Sequence, residues 1–285
     1  MPKTREKEWL RGLEMFGFMS KGKAFGIDVD DIENVIDRGA NIDALSALGH
    51  SLRKPDGERK IEKAAFCLDT NAFLHIFRHK KKDDVIDFLT QAHDVPLIVA
   101  GQTIQEFWNN ILTVNQAKLK VLRKNLDEVR SIANQLDGDL SDLSANLIAG
   151  VDQFDDEYDF FKDEKYLDIA SSLIESLSSS SVSYYVPRLR FAGYAELRKK
   201  TKTPPGFKDD GHGDFYVWLD FLLGLKATKR NGVAFDKAVL VTNDKKKDWS
   251  LFRQPHPILY AEVWSLLGIP FEIWSLDELA EAIAK

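Results

Sequence analysis

Two aspartates in this chain occupy the same kind of position. In AFCLDTNAFL a short apolar run, Ala64 to Leu68, stops at Asp69 and passes straight into a helical pattern; in KAVLVTNDKKKDW another run, Ala238 to Thr242, delivers Asp244. Glu106 lies just beyond a third run, Pro96 to Ala100, in PLIVAGQTIQEF. The stretch PPGFKDDGHGDFYVWLDFL adds Asp209 and Asp214, in a loop held irregular by Pro204, Pro205, Gly206, Gly211 and Gly213 that ends at a strongly apolar helix. Each acid alone has a plain structural explanation. Asp69, Asn71 or Asp214 would cap the helix that follows, Asp244 is an ordinary turn residue, and Thr103 with Glu106 has the spacing of a capping box. Capping does not explain why each of these edges, and the one Pro/Gly loop leading a helix onto the sheet, ends in a carboxylate.

Four or five carboxylates brought together repel, raise one another's pKa and destabilise the fold unless cations neutralise them. Carboxylate oxygens select hard ions such as magnesium or manganese. Phosphodiester hydrolysis needs what such ions offer: an activated water, a neutralised non-bridging oxygen and a stabilised leaving group. No zinc set is visible, with one cysteine, Cys67, and six scattered histidines.

The elements that must position these acids read as strand and helix in alternation. Four apolar stretches rich in branched residues, Ala64 to Leu68, Pro96 to Ala100, Ala238 to Thr242 and Pro270 to Trp274, are expected to be buried strands, each followed by a helical pattern. Ser275 with Glu278 forms a capping box that opens a terminal helix. This order favours a parallel sheet covered on both faces, with ligands at the carboxyl ends of its strands. Between Ile104 and Phe161 the period changes: Leu119, Leu122, Leu126, Val129, Ala133 and Leu136, then Leu140, Leu143, Leu147, Val151, Phe154, Tyr158 and Phe161, form two stripes separated by Asp137 and Gly138, an expected antiparallel helical hairpin. Asp163 to Leu177 extends the helical pattern, and SLSSSSVS reads as a flexible connection. Helical segments around Trp9 to Phe16, Asp31 to Ile36 and Ile42 to Leu52 make residues 1–62 a helical extension ahead of a domain at 63–285, with an insertion over about 112–202.

With 285 residues and 44% apolar composition, the chain can bury a substantial core, and no apolar run reaches the length of a membrane span. The N-terminal MPKTREKEWLRGLE lacks the apolar centre of a secretory signal, and a lone cysteine fits a reducing compartment, so a cytoplasmic location is expected. The net charge of −6 is unevenly spread: residues 186–208 hold seven basic side chains against Glu196 alone, and residues 152–168 hold eight acidic ones. Arg198, Lys199, Lys200, Lys202, Lys208 and Lys245 are candidate contacts to a nucleic-acid backbone, although charge runs are commonly solvated faces. His212 is expected to be a loop residue, and Trp218 and Trp249 core.

In this order, CLDTN at 67–71, QEF at 105–107, PPGFKD at 204–209, GDFYVW at 213–218 and VTNDKKKDW at 241–249 resemble the PIN-domain nuclease superfamily, and in particular a bacterial PIN-like group with a large helical insertion. The resemblance implies an α/β/α sandwich whose acidic pocket holds one or two magnesium or manganese ions. It implies hydrolysis of RNA, ahead of DNA, to 5′-phosphate and 3′-hydroxyl ends. It makes Asp69 the central bridging ligand, with Glu106, Asp214 and Asp244 completing the set, Asp209 a fifth catalytic acid, and Asn71 and Thr242 groups that orient carboxylates or water. A regulatory protein partner at the helical insertion follows from the same resemblance. Two other readings stand beside it: a phosphatase of the haloacid-dehalogenase type, which wants an acid where Asn71 stands, and a non-catalytic scaffold that binds protein through the hairpin.

Overall fold

The computed structural model describes residues 21–38, 42–53, 59–91, 95–110, 113–136, 140–162 and 164–285. In chain order the helices and strands are α1 (Lys21–Ile36), α2 (Ala44–Ser51), β1 (Ala64–Leu68), α3 (Thr70–His75), α4 (Lys82–Thr90), β2 (Leu97–Ala100), α5 (Gly101–Asn110), α6 (Thr113–Ala133), α7 (Ser141–Lys162), α8 (Glu164–Ser180), β3 (Val182–Tyr184), α9 (Arg188–Lys200), α10 (Gly213–Arg230), β4 (Lys237–Val241), β5 (Ser250–Leu251), β6 (Gln254–Pro255), α11 (Pro257–Leu267), β7 (Phe271–Trp274) and α12 (Leu276–Ile283). Five strands pair in the order β3-β2-β1-β4-β7, all parallel, and β5 and β6 form a separate two-residue antiparallel pair. No helix among the described residues is long and apolar enough to cross a membrane.

Burial on both faces explains why the strands read as continuous apolar runs and not as an alternating pattern. Successive side chains on β1 go to opposite sides: Ala65 and Cys67 join Leu240 and Ile273 beneath α10 and α11, while Phe66 and Leu68 join Val239, Val241 and Trp274 beneath α3, α4, α8 and α12. The architecture is the expected α/β/α sandwich. Val29, Ile32, Val35 and Ile36 of α1 and Ala47 of α2 enter the first of these cores, so the described part of the N-terminal extension packs into the same core as the sheet. The helix expected around Trp9 to Phe16 and the Asp137–Gly138 break lie outside the described residues.

The helical hairpin forms as α6 and α7, held by Ser144 Oγ donating to the Ala133 carbonyl at 2.6 Å and by Arg130 on Asp155 at 3.0 Å. Its apolar stripes are only half closed, since Leu122, Val129, Leu143 and Leu147 remain exposed.

Two sequence expectations change. SLSSSSVS is not a flexible connection but the last turns of α8 followed by edge strand β3. Leu173 and Leu177 bury one face of the helix, and the serine hydroxyls turn back onto the helix, Ser178 Oγ and Ser179 Oγ to the Glu175 carbonyl at 2.7 and 3.1 Å. The capping box of Thr103 and Glu106 also does not form. Helix α5 begins two residues earlier, at Gly101, directly from β2, and Thr103 turns inward toward the Leu68 carbonyl. The ring of Tyr185 lies against Gly101, where a Cβ would stand 2.3 Å from it, so any larger residue there would have to displace that ring. The terminal capping box is as expected: Ser275 and Glu278 exchange both hydrogen bonds.

Candidate active site

Strand order reverses at β1, which has β2 on one side and β4 on the other, and the carboxyl ends of these three strands form one rim. Asp69 follows β1 immediately and is 5% exposed. It stands at the N-cap position of α3, yet its carboxylate makes no capping hydrogen bond there; Oδ2 accepts from Thr242 Oγ1 at 2.8 Å instead. Thr242, fully buried just after β4, also accepts from the Asp244 amide at 3.0 Å, so a single hydroxyl joins the acids delivered by the two strands. The absence of a capping box frees Glu106, which accepts from Thr70 Oγ1 at 2.8 Å and Gln102 Nε2 at 3.0 Å. Thr70 is the residue after Asp69, so this bond draws the acid beyond β2 to the end of β1.

The loop from 201 to 212 brings in the other two acids. Its Pro204–Pro205 bond is cis, Gly206 has φ +77°, and the Gly206 amide donates to the buried Asp248 at 3.1 Å. A Cβ on Gly206 would meet Asp214 Cβ at 2.9 Å. Asp214 lies inside the first turn of α10, whose N-cap position belongs to His212. It caps nothing by default: Oδ2 accepts from the buried indole of Trp249 at 3.0 Å. Gly213 closes the circuit, because a Cβ there would stand 2.2 Å from Glu106 Oε1. Carboxylates from four separate segments therefore meet on the rim.

A cation that the sequence did not single out sits among them. Lys246 Nζ is 2.7 Å from Asp209, 3.0 Å from Asp244 and 3.7 Å from Asp214. One positive charge is too little for this set. Burial first, then the hydrogen bond shared with Asp209 and the charge of Asp69, push the Asp214 carboxyl up to about 8. Burial, with the charges of Glu106 and Asp244 adding to it against the Thr242 bond, pushes Asp69 up to about 6. Asp209 goes the other way: burial works against its charge, but Lys246 and the hydrogen bond from Asp214 outweigh it and hold the carboxyl low. Burial likewise disfavours the Lys246 ammonium, and its three carboxylate neighbours more than restore it.

Magnesium or manganese suits this set by donor type and by charge. Hard carboxylate oxygens are the ligands such ions prefer, and the raised carboxyls of Asp214 and Asp69 mark a rim where burial and neighbouring acids disfavour negative charge that a cation would offset. The geometry is not preset for an ion. Among the described residues no three His, Cys, Asp or Glu side chains converge closely enough to hold one as they stand. Lys246 draws three of the acids to itself.

Of the remaining candidates, Asn71 is exposed on the first turn of α3. His212 pairs with Glu196 at 2.9 Å. Trp218 and Trp249 are core, as expected, though Trp249 also touches the site. Arg198 requires correction as a nucleic-acid contact. It is 5% exposed, donates to Glu262 at 2.7 Å and to the Pro204 carbonyl, and so ties α9 to α11 and to the loop that carries Asp209. The other arginines of that segment are also committed, Arg188 to the buried Asp220 at 2.8 Å and Arg190 to Glu33 and Asp30. Lys200, Lys202, Lys208 and Lys245 are exposed, and Lys199 is half-buried with Nζ on the Asp210 carbonyl at 2.8 Å. Planar guanidinium groups fix carboxylates and carbonyls inside the protein, whereas lysines keep a compact hydrated charge in solvent.

A family described as PIN like domain matches residues 65–180 and 157–257, which together span more than half of the chain and take in every acid of the rim. No curated protein and no solved structure matches. By its matched sequence and its parallel α/β/α sandwich, the chain belongs to the PIN-like domain family.

Proposed function

We propose that this protein is a metal-dependent nuclease that hydrolyses phosphodiester bonds, with RNA its substrate ahead of DNA. The observation that carries the proposal is the convergence of Asp69, Glu106, Asp214 and Asp244 on one strand-end rim, where burial and then the neighbouring acids raise the carboxyl of Asp69 to about 6 and that of Asp214 to about 8. The PIN-like family, suggestive of nucleases, supports the reaction class. One or two divalent cations held by Asp69, Glu106, Asp214 and Asp244 would supply the activated water and neutralise the phosphate.

The chain's own residues prepare that site. Thr242 orients Asp69 and fixes the Asp244 backbone, and Thr70 and Gln102 aim Glu106. Trp249 and Lys246 steady Asp214 and Asp209. Lys246, once relieved of the carboxylates, has the charge and reach to meet a phosphate oxygen. The exposed Lys200, Lys202, Lys208 and Lys245, with Lys199, would hold the strand by its backbone at a cost in affinity as salt rises. The half-open stripes of α6 and α7 suit a regulatory protein partner. A haloacid-dehalogenase phosphatase gains no support, because the position two residues after Asp69 is the neutral Asn71.

Incubation with labelled single-stranded RNA, duplex RNA and DNA tests the proposal. Cleavage should require magnesium or manganese, leave 5′-phosphate ends, and vanish in Asp69→Asn and Asp244→Asn without loss of folding. Cleavage that persists in excess chelator would overturn it.

A further inference from the structure

Strands β5 and β6 are joined by a two-residue turn, Phe252–Arg253, in which both residues have positive φ, 51° and 65°. Consecutive positive φ values are the signature of the tight hairpin turn that favours Asn-Gly or Gly-Gly, because a Cβ is disfavoured at both positions. The chain places two large side chains there. Arg253 has a structural role, since its Nη1 donates to the Thr242 carbonyl at 3.0 Å and its guanidinium lies near Glu278. Phe252 has no such role, and its ring is 90% exposed. A strained backbone position carrying an exposed aromatic ring costs stability and solubility together, and such strain gathers where function holds it.

The position of the turn indicates the use. Through Arg253 it is pinned to the carbonyl of Thr242, whose hydroxyl holds Asp69. The turn that carries Phe252 is therefore tied, through the next residue, to a residue of the carboxylate rim, and the exposed Lys245 and Lys247 lie on the segment that leads into the hairpin. Exposed aromatic rings and basic side chains carried by one segment are the combination that binds unstacked bases, the cations taking the backbone and the ring a base. We propose that Phe252 is a stacking platform for one base of a single-stranded nucleic acid whose backbone enters the carboxylate rim. The inference rests on the nuclease reading and narrows its substrate to unpaired strands.

Fluorescence anisotropy tests it with fluorescein-labelled oligouridylate and oligothymidylate, in calcium to permit binding without turnover, alongside the matching duplexes. Phe252→Ala should weaken single-strand binding roughly five- to a hundredfold, the range expected from loss of one stacked base, and Phe252→Trp should restore it. Phe252→Asn separates binding from structure: it suits the positive φ, so Tm should hold or rise while affinity falls as in the alanine variant. An oligonucleotide series with one abasic position at a time should contain one position whose loss weakens the wild type and leaves Phe252→Ala unaffected. Unchanged affinity in Phe252→Ala would overturn the inference while leaving the nuclease reading intact, as would an abasic series that affects both proteins equally. Self-association lost in Phe252→Ala with nucleic-acid binding unchanged would instead assign the ring to a second copy of the chain. A wild type that neither binds nor cleaves any of the strands would overturn both readings.

Discussion

Thr242 is one hydroxyl with two obligations, donating to Asp69 Oδ2 and accepting from the Asp244 amide, in a fully buried position. Valine has nearly its shape and can do neither. Thr242→Val should cost about 1–3 kcal/mol in denaturant unfolding, the penalty for leaving buried polar groups unsatisfied, and should weaken manganese binding in calorimetry. Lys246 is the second test at this scale. Its ammonium occupies three carboxylates that a divalent ion would claim, so Lys246→Met should lower the Tm of the metal-free protein at pH 8 and tighten manganese binding. A metal-free Tm that does not move would show that the ammonium matters little to the acids. Asp69 and Asp244 could be read in the sequence because a carboxylate at the end of an apolar run is a local signal, and Asp209 and Asp214 because a Pro/Gly loop leading into an apolar helix is another. Lys246 could not be distinguished from Lys245 and Lys247, because only the turn after β4 decides which of three adjacent lysines faces the rim. Arg198 misled for a related reason: a basic run looks the same whether its members face solvent or a buried glutamate such as Glu262.

Helix α5 shows how an element positions chemistry. Its start at Gly101 turns Glu106 from a capping residue into a rim carboxylate held by Thr70 and Gln102 at the start of α10, where Gly213 leaves room for it. Gly213→Ala should leave Tm within a few degrees, since the new methyl meets only the mobile end of Glu106 while the helix gains roughly 0.5–1 kcal/mol in propensity. It should nonetheless displace that carboxylate, with cleavage and metal affinity both falling on the order of tenfold. Unchanged metal binding in a folded Gly213→Ala protein would remove Glu106 from the ligand set. Four of the sheet's strands were legible to within a residue because their runs are mostly apolar and mostly buried. Strand β3 was not. It has three residues, lies at the sheet edge after a serine tract, and takes its register from β2, a partner far away in sequence. The start of α5 was misread because Thr103 and Glu106 satisfy a local rule that Leu68 and Thr70, across the rim, override.

The whole molecule carries the acids of this rim at a cost in stability. Asp69 and Asp214 have carboxyls raised in the fold above their ordinary 3.8, so their contribution to stability is full below that value and is lost as pH rises through about 6 and then about 8. In chelator, Tm should therefore fall between about pH 4 and pH 8.5, and manganese should restore most of the loss at the upper end, as ligand binding to the folded state stabilises it. A metal-free Tm that rises across this range would contradict the charge deficit. The overall architecture was legible because strand and helix alternate along the chain. The way α1 and α2 share the sheet's core was not, since nothing local to residues 21–53 says which surface their apolar faces cover.

Calorimetric titration of manganese at pH 7 measures whether acids from four segments share cations at one rim. Manganese should bind with release of about one proton, chiefly from Asp214, and binding should be weakened strongly by Asp69→Asn and by Asp244→Asn, with the double variant little worse than either. Wild-type affinity in both single variants, or no heat of binding at millimolar manganese, would contradict such sharing.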